Sequence, residues 1–365
     1  EWEWCYTVST PRTATPTHLL GTAVAPRTPS FPTPPLQNAM PLVTELPSSL
    51  QHIHIMGIGG TAMAALAGML VDAGYTVTGS DGNQIYPPMS DYLADLGIQP
   101  MVGYQPENLT ATGKKPDLVV VGNVVREIYP EAQALLQTEI PYMSFPALIG
   151  AGFLNRTHNI VVSGTHGKTT TTTIIQWLLE AAGRSPGFLV GGVPGNFTRT
   201  ARPCPSLEQQ DNASTPYFVI EGDEYDTAFF DKGPKFLHYR PSTVILTSIE
   251  FDHADIYRDL EHCKSSFQQL MHIVPKDGVV VARWDDPAVA QVASEAKCTI
   301  LRYGPDQQWD GRIESIDPEK GTMHFSVLCE GICIGTFESN MVGEHNLYNQ
   351  VAAVAALHHQ GIEVD

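Results

Sequence analysis

Short apolar segments alternate with amphipathic segments along most of the chain, beginning near residue 51. In the first half, segments 52–56, 76–79 and 118–122 are predicted to be strands, and segments 61–73 and 131–138 are predicted to be helices. This alternation is typical of a parallel sheet whose strands are joined by crossover helices. The pattern therefore predicts the α/β class, with a Rossmann-like N-terminal domain over residues 51–157.

The same alternation starts again at Asn159, where an apolar strand runs into a tight loop. Further strands are predicted at 217–220, 243–246, 279–282 and 299–303, and helices at 168–182 and 347–359. Between residues 312 and 338 a strict two-residue alternation around Glu330 and Gly331 predicts an antiparallel hairpin. We therefore expect a P-loop-type central domain over residues 158–365, with a mostly parallel sheet and an antiparallel edge.

Residues 1–50 precede the alternating segments and lack their pattern. Residues 1–39 carry repeated Thr-Pro and Pro-Pro steps and no apolar period. Such a segment cannot easily form a packed core. We expect it to be disordered or an artefact of the reading frame, with Met40 as the true start. The purpose of residues 1–39 is not evident from the sequence.

Charge and composition exclude some classes of partner. The net charge of −18 argues against a nucleic-acid or anionic-membrane surface, since both need a dense basic patch. The sequence has neither an apolar run of roughly 18 residues nor a signal-peptide pattern, so a cytoplasmic protein is expected. The six cysteines are scattered, which favours reduced thiols over a metal site or disulfides.

The segment from Ser163 to Thr170 lies between a predicted strand and a predicted helix, where backbone N–H groups can converge on phosphate oxygens. Lys168 can reach the β and γ phosphates, and the Thr169 hydroxyl can bind magnesium. The standard P-loop spacing would need glycine in place of Val162, so an ordinary turn before a helix is the alternative. The run of threonines at 169–173 weakens that alternative, because β-branched residues start helices poorly.

Acidic residues follow two of the predicted strands. The first strand exit contains Glu221, and the second contains Glu250 and His253. Ligands bind at the carboxyl ends of parallel strands, and magnesium prefers oxygen ligands, so both exits are candidates for a metal-nucleotide site facing the phosphate loop. The alternative for each is a solvated acidic loop.

A glycine-rich turn opens the first predicted helix. Gly57, Gly59 and Ala62 follow a strand, and Asp81 ends the next strand, as in a dinucleotide-binding turn. Taken alone, this turn would favour a dehydrogenase that uses a nicotinamide cofactor. The phosphate loop in the second unit argues against that reading.

Four motifs together resemble the Mur ligase family: the loop GTHGKTTTT, the two strand exits EGDE and DH, and the helix opening GEHNLYN. The resemblance implies that Lys168, Glu221 and His253 are catalytic, and that Thr169, Glu221 and His253 bind Mg²⁺. It implies that ATP is held by Gly164, Thr165, His166, Gly167, Lys168, Thr169 and Thr170, with Asn346 and Asn349 at the adenine. It also implies that a UDP-sugar is held by Gly57, Ile58, Gly59, Gly60, Asp81 and Asn123.

Two segments resemble the branch of the family that adds a ready-made peptide to UDP-N-acetylmuramate: Gly122-Asn123 with Arg126, and an insertion at 225–241. The resemblance implies that the lactoyl carboxylate takes the γ-phosphoryl group of ATP, and that the amine of L-Ala-γ-D-Glu-meso-diaminopimelate attacks the acyl phosphate, in peptidoglycan recycling. We also expect that the family's C-terminal ligase domain is absent, so that the chain binds its substrates but turns over poorly. A UDP-N-acetylmuramate–L-alanine ligase and a non-catalytic nucleotide-sugar-binding relative are the alternatives.

Overall fold

Two β-sheets flanked by helices make up the computed structural model, which describes residues 45–47, 49–192, 195–197, 199–205, 215–251 and 257–363. All of these residues belong to one unit, 39–365. The expectations for residues 1–39 lie outside the described residues. The predicted division into domains at 51–157 and 158–365 stays a prediction.

The first sheet has five parallel strands in the order β3-β2-β1-β4-β5. Its strands are β1 (His52–Met56), β2 (Thr76–Asp81), β3 (Met101–Val102), β4 (Leu118–Val121) and β5 (Tyr142–Ser144). Its helices are α1 (Thr61–Asp72), α2 (Met89–Asp95), α3 (Pro130–Leu136) and α4 (Phe145–Gly152). Every residue of β4 is buried, as expected for a central strand covered on both faces.

The second sheet has ten strands in the order β15-β14-β13-β12-β11-β10-β6-β9-β7-β8. Its strands are β6 (His158–Ser163), β7 (Gly187–Leu189), β8 (Ala201–Arg202), β9 (Tyr217–Gly222), β10 (Thr243–Leu246), β11 (Val279–Arg283), β12 (Thr299–Tyr303), β13 (Trp309–Asp317), β14 (Thr322–Cys329) and β15 (Ile332–Ser339). Its helices are α5 (Lys168–Ala181), α6 (Leu260–Ile273), α7 (Pro287–Ala293) and α8 (Glu344–His359). Strands β9, β6, β10, β11 and β12 run parallel, and β6 lies between β10 and β9.

Successive side chains of the interior strands pack on opposite faces of the second sheet. In β6, Ile160 and Val162 belong to the hydrophobic cluster beneath α5 and α8, whereas Val161 belongs to the cluster that contains α6. Successive strand side chains point to opposite faces, so an unbroken apolar run is what a doubly covered strand requires. None of the helices in the described part of the chain combines the length and apolar character needed to span a bilayer.

The structure confirms the predicted fold class and corrects details of the edges. Residues 309–339 form three antiparallel strands rather than one hairpin. The predicted turn at Glu330 and Gly331 is present, and both residues have positive φ angles of 51° and 78°. Helix α8 starts at Glu344, three residues before the predicted 347, because its first turn is polar and gives no apolar signal.

Candidate active site

The phosphate loop connects β6, an interior strand of the second sheet, to α5. Strand β9, which ends in the first acidic exit, pairs with one side of β6, and strand β10, which precedes the second exit, pairs with the other. The two exits are therefore separated by the loop strand rather than adjacent to each other. Both still end at the edge of the sheet where the phosphate loop begins.

Two glycines give the loop its shape. Gly164 has a φ of 134°, and Gly167, which precedes the first residue of α5, has a φ of 80°. Non-glycine residues rarely adopt such angles. Gly167 provides no side-chain cap for α5, and the first turn of a helix has no intrahelical partners for its N–H groups, so these donors are available to an anionic ligand.

Ser248, from the exit of β10, fixes the first half of the loop. Its carbonyl oxygen accepts a hydrogen bond from the Thr165 N–H at 3.0 Å, and its hydroxyl accepts one from the His166 N–H at 2.9 Å. These two donors, which the sequence assigned to ATP, are thus used to hold the loop in place. The donors left to a phosphate group are those nearer the helix.

Lys168 is held in position by the loop and by the EGDE segment. Its ammonium group donates to the Gly164 carbonyl at 2.6 Å and lies 3.3 Å from the Glu224 carboxylate. Both side chains are nearly buried, with 13% and 2% of their surface exposed. A buried ammonium group so placed can bind phosphate oxygens at low solvent screening.

Thr169 and Glu221 form the oxygen-rich side of the site. The Thr169 hydroxyl donates to Glu221 Oε2 at 3.1 Å, and the Gly191 N–H donates to Oε1 at 2.6 Å. Burial raises the pKa of Glu221, which the nearby Asp223 also raises, while the Gly191 and Thr169 hydrogen bonds and Lys168 oppose the change. A partly buried carboxylate beside a hydroxyl is a donor set that suits Mg²⁺.

His253, the other expected metal ligand, lies outside the described residues, as does Asp252. Within the described ranges, no group of three or more histidine, cysteine, aspartate or glutamate side chains is arranged to hold a metal ion. The described part of the expected metal site is therefore the pair Thr169 and Glu221.

A cavity of about 540 Å³ opens beside the phosphate loop. Asn349 lines it, whereas Asn346 is absent from its lining and donates instead to the Val342 carbonyl at 3.0 Å. The lining also includes residues to which the sequence assigned no ligand, at the ends of β10, β11 and β12 and at the start of α8: Thr247, Ser248, Glu250, Arg283, Asp285, Asp286, Tyr303 and His345. All of them except His345 lie at or after the end of a predicted parallel strand, which is the signal that could have identified them.

Arg283 gives this cavity a cationic wall. Its guanidinium group pairs with Asp285 and lies 4.1 Å from the centre of the Tyr348 ring. Arginine stacked on an aromatic ring and paired with a carboxylate is held rigidly. The cavity thus has polar, aromatic and charged groups suited to a nucleoside next to the phosphate loop.

The glycine-rich turn of the first sheet is held by two neighbours on β2. The Gly57 and Ile58 N–H groups donate to the Ser80 carbonyl at 2.8 and 3.1 Å, and the Gly59 N–H donates to Asp81 Oδ2 at 2.9 Å. Asp81 therefore stabilises the turn itself. Ile58 is fully buried, so its side chain belongs to the core.

A cavity of about 180 Å³ lies against this turn. Of the six residues assigned to a UDP-sugar, Gly57, Gly60 and Asn123 line it, and Ile58, Gly59 and Asp81 do not. Thr227 and Lys235 also line it, from the insertion at 225–241, which joins the EGDE exit to β10. The sequence marked this insertion but assigned none of its residues to a ligand.

Comparison with known proteins gives a consistent result over the whole described core. The Mur ligase middle domain model matches residues 162–357, and the Mur ligase family, catalytic domain model matches residues 52–155. A UDP-N-acetylmuramate–L-alanyl-gamma-D-glutamyl-meso-2,6-diaminoheptandioate ligase from Escherichia coli is 41% identical, over 85% of this chain and 64% of that protein. The protein of the same name from Haemophilus influenzae is 38% identical, over 87% of this chain and 66% of that protein.

A crystal structure of UDP-N-acetylmuramate:L-alanyl-gamma-D-glutamyl-meso-diaminopimelate ligase from Neisseria meningitides superimposes with a TM-score of 0.80 at 39% identity. The match covers 87% of this chain and 96% of that one. The chain spans slightly less than two thirds of the length of the two curated relatives. Because one family model alone matches more than half of the chain, this protein belongs to the Mur ligase family.

Proposed function

We propose that this chain carries the nucleotide and acceptor sites of an ATP-dependent ligase that joins a peptide to the lactoyl carboxylate of UDP-N-acetylmuramate. The peptide is L-Ala-γ-D-Glu-meso-diaminopimelate, as in the names of the relatives at 38–41% identity. One observation carries the proposal: Lys168 and the Thr169–Glu221 pair meet at the start of α5, next to a cavity of nucleoside size. ATP and UDP-sugars are cytoplasmic metabolites, and we propose that compartment for the reaction.

In this mechanism the protein first orders the nucleotide. Lys168 and the N–H groups at the start of α5 bind the β and γ phosphates and stabilise the charge that develops as the γ-phosphoryl group moves. Thr169 and Glu221 would hold Mg²⁺, which supplies Lewis-acid stabilisation when bound. Asn349, in the cavity wall, would hold the base. The glycine-rich turn at Gly57–Gly60 would let the UDP diphosphate approach the first turn of α1, whose N–H groups would hold it.

Trapping the activated carboxylate tests the first step without any amine substrate. The chain is incubated with UDP-N-acetylmuramate, ATP, Mg²⁺ and hydroxylamine, which attacks an acyl phosphate and releases phosphate. We expect the hydroxamate of UDP-N-acetylmuramate and an equal amount of ADP, detected by mass spectrometry. ADP formation that does not depend on UDP-N-acetylmuramate, or tight binding of a nicotinamide cofactor with no response to ATP, contradicts the proposal.

Offering the tripeptide and L-alanine in competition tests the identity of the amine substrate. We expect the product to carry the tripeptide, and a product that carries only L-alanine would assign the chain to the alanine-adding branch.

Lys168→Ala separates the two sites. Because Lys168 lies in the phosphate loop and not at the cavity of the first sheet, we expect hydroxamate formation to fall at least 100-fold while the affinity for UDP-N-acetylmuramate changes less than twofold. Lys264→Ala is the matched control, since Lys264 is also a nearly buried lysine paired with a carboxylate, but it lies on α6. Loss of UDP-N-acetylmuramate binding in a folded Lys168→Ala protein would contradict this division between the sites.

A further inference from the structure

The cavity against the glycine-rich turn receives one cationic side chain from the described part of the chain. Its lining consists of Gly57, Gly60, Thr61, Ala62, Met63, Gly122, Asn123, Val124, Phe145, Thr227 and Lys235. Lys235 comes from the insertion at 225–241, which connects β9 and β10 of the second sheet. In a chain with a net charge of −18, such a cation is the feature that can attract an anionic group there.

Lys235 is held rigidly at this cavity. Its ammonium group donates to Asp223 Oδ2 at 2.8 Å and lies 4.3 Å from the centre of the Tyr225 ring. Only 13% of the side chain is exposed. An ammonium group has three donors, and the bond to Asp223 uses one of them.

Contacts with the first sheet fix the insertion that carries Lys235. The Ser144 hydroxyl donates to Asp231 at 2.6 Å, and Asp231 also pairs with His238 at 3.0 Å. The Phe230 ring packs edge-on against Tyr142, with 4.9 Å between ring centres. The position of Lys235 is therefore set from both sheets, which suits a residue that must hold a substrate in a defined place.

Asp223 links Lys235 to the phosphate-loop site. Asp223 is two residues from Glu221, whose carboxylate accepts the hydrogen bond of the Thr169 hydroxyl. Lys235 and the phosphate loop thus both contact the segment 221–223 at the end of β9. The acceptor of a phosphoryl group must bind close to ATP, and this shared segment suits that requirement.

We propose that Lys235 binds the lactoyl carboxylate of the acceptor and so selects an N-acetylmuramate nucleotide over an otherwise similar sugar nucleotide. The inference rests on the proposed function. The N–H groups of the glycine-rich turn bond within the protein, but the first turn of α1, which no side chain caps, offers N–H groups for the diphosphate. The cation is thus left for the second anionic group of the ligand. UDP-N-acetylglucosamine lacks that carboxylate and is the natural probe.

The test compares the affinities for UDP-N-acetylmuramate and UDP-N-acetylglucosamine by isothermal titration, without ATP. The unaltered chain is expected to prefer UDP-N-acetylmuramate. In Lys235→Met we expect the affinity for UDP-N-acetylmuramate to fall about 10- to 100-fold, as for loss of a charge-assisted hydrogen bond, with UDP-N-acetylglucosamine changed less than twofold. Lys232→Met is the control, because Lys232 lies in the same insertion but is largely exposed and pairs with Asp226.

Two further variants separate binding from folding. Lys235→Met combined with Asp223→Asn avoids leaving a half-buried carboxylate without its cation, and should show the same selective loss. Asp223→Asn alone removes the ion pair but keeps the ammonium group, and should retain the preference for UDP-N-acetylmuramate. The thermal unfolding midpoint of each variant is measured alongside.

An equal loss of both ligands in Lys235→Met overturns the inference, and so does an unchanged preference in that variant. Loss of the preference in Asp223→Asn alone also overturns the inference, because the preference would then depend on the ion pair and not on the ammonium group of Lys235. If the unaltered chain binds neither sugar nucleotide, the proposed function fails, and this inference fails with it.

Discussion

At the phosphate loop, position 164 accepts only glycine. Its φ of 134° is strained for any L side chain, and a Cβ atom there would overlap the Thr247 hydroxyl and lie 2.9 Å from the Ser248 nitrogen. Ser248 in turn holds the Thr165 and His166 N–H groups. A side chain at position 164 would therefore displace the loop from the exit of β10.

We predict that Gly164→Ala lowers the affinity for ATP at least tenfold and the free energy of unfolding by about 1–2 kcal/mol or more. Calorimetric titration with ATP and urea unfolding measure the two effects. Gly183→Ala is the matched control, because Gly183 also has a positive φ, 70°, but has open space around its Cβ position. Gly183→Ala should lower the free energy of unfolding and leave the affinity for ATP unchanged. An equal loss of ATP affinity in Gly164→Ala and Gly183→Ala would contradict the prediction.

The site residues that the sequence identified share one property: each belongs to a local pattern. Lys168 and Thr169 follow a strand and open a helix, and Glu221 ends a strand, so spacing along the chain is enough to find them. Lys235 and Arg283 carry no such pattern. Their roles depend on Tyr225 and Tyr348 as ring partners and on which strands become neighbours, which is a property of the folded sheet. Asn346 matches the motif spacing, but its side chain donates to a backbone carbonyl and is not part of the cavity lining, so its contact with adenine stays a prediction.

At the scale of elements, the threonine run at the start of α5 has two parts with different roles. The Thr169 hydroxyl bonds to Glu221, which agrees with the argument that β-branched residues begin this helix for a functional reason. The Thr171 and Thr172 hydroxyls are buried and have no hydrogen-bond partner among the described residues. The argument therefore does not extend to the whole run.

We predict that Thr172→Val raises the free energy of unfolding by about 1 kcal/mol, because it removes a buried hydroxyl that makes no hydrogen bond and keeps a β-branched shape. Thr169→Val serves as the comparison, and it should weaken Mg²⁺-dependent ATP binding. Urea unfolding and titration with ATP, each with and without Mg²⁺, provide the measurements. A clear loss of stability in Thr172→Val would mean that the hydroxyl has a partner in solution.

Whether a strand could be predicted from the sequence depended mainly on its length. Strands β1, β10 and β12 have the predicted bounds because each is a short apolar run next to turn residues. Strands β3 and β8 have two residues each, which is too few to show a period. The antiparallel edge was predicted at the turn between β14 and β15, where Glu330 and Gly331 adopt positive φ angles, but the second turn, between β13 and β14, was not predicted.

At the scale of the whole molecule, the segment from Glu221 to residue 241 connects the two candidate sites. Its start faces the phosphate loop through Glu221 and Glu224, and its later part reaches the cavity of the first sheet through Thr227 and Lys235. A change at either site can therefore reach the other through about twenty residues of chain. The sequence marked this segment as an insertion, but its role as a connection depends on the packing of both sheets.

Stability as a whole should depend on pH through the imidazole of His158. Burial lowers the pKa of His158, whose ring lies at the start of β6, 2.9 Å from the Thr243 hydroxyl. A base with a lowered pKa binds its proton more weakly in the folded protein than in the unfolded chain. Its contribution to stability is therefore complete above its ordinary pKa of 6.5 and is lost as the pH falls through 6.5 towards the lowered value.

We predict that the free energy of unfolding falls between pH 7.5 and pH 5.5, and that the fall is smaller in His158→Gln, whose amide can still bond to Thr243 but does not titrate. Urea unfolding at the two pH values measures this fall.

Thr243→Val is the control, because it removes the hydrogen-bond partner and leaves the imidazole. It should lower stability at both pH values and keep the full pH dependence. His52, whose pKa burial also lowers, should supply part of the fall that remains in His158→Gln. Equal pH dependence in the unaltered protein and in His158→Gln would show that the imidazole at the start of the phosphate-loop strand binds its proton equally well in the folded and unfolded chain, and would contradict the prediction.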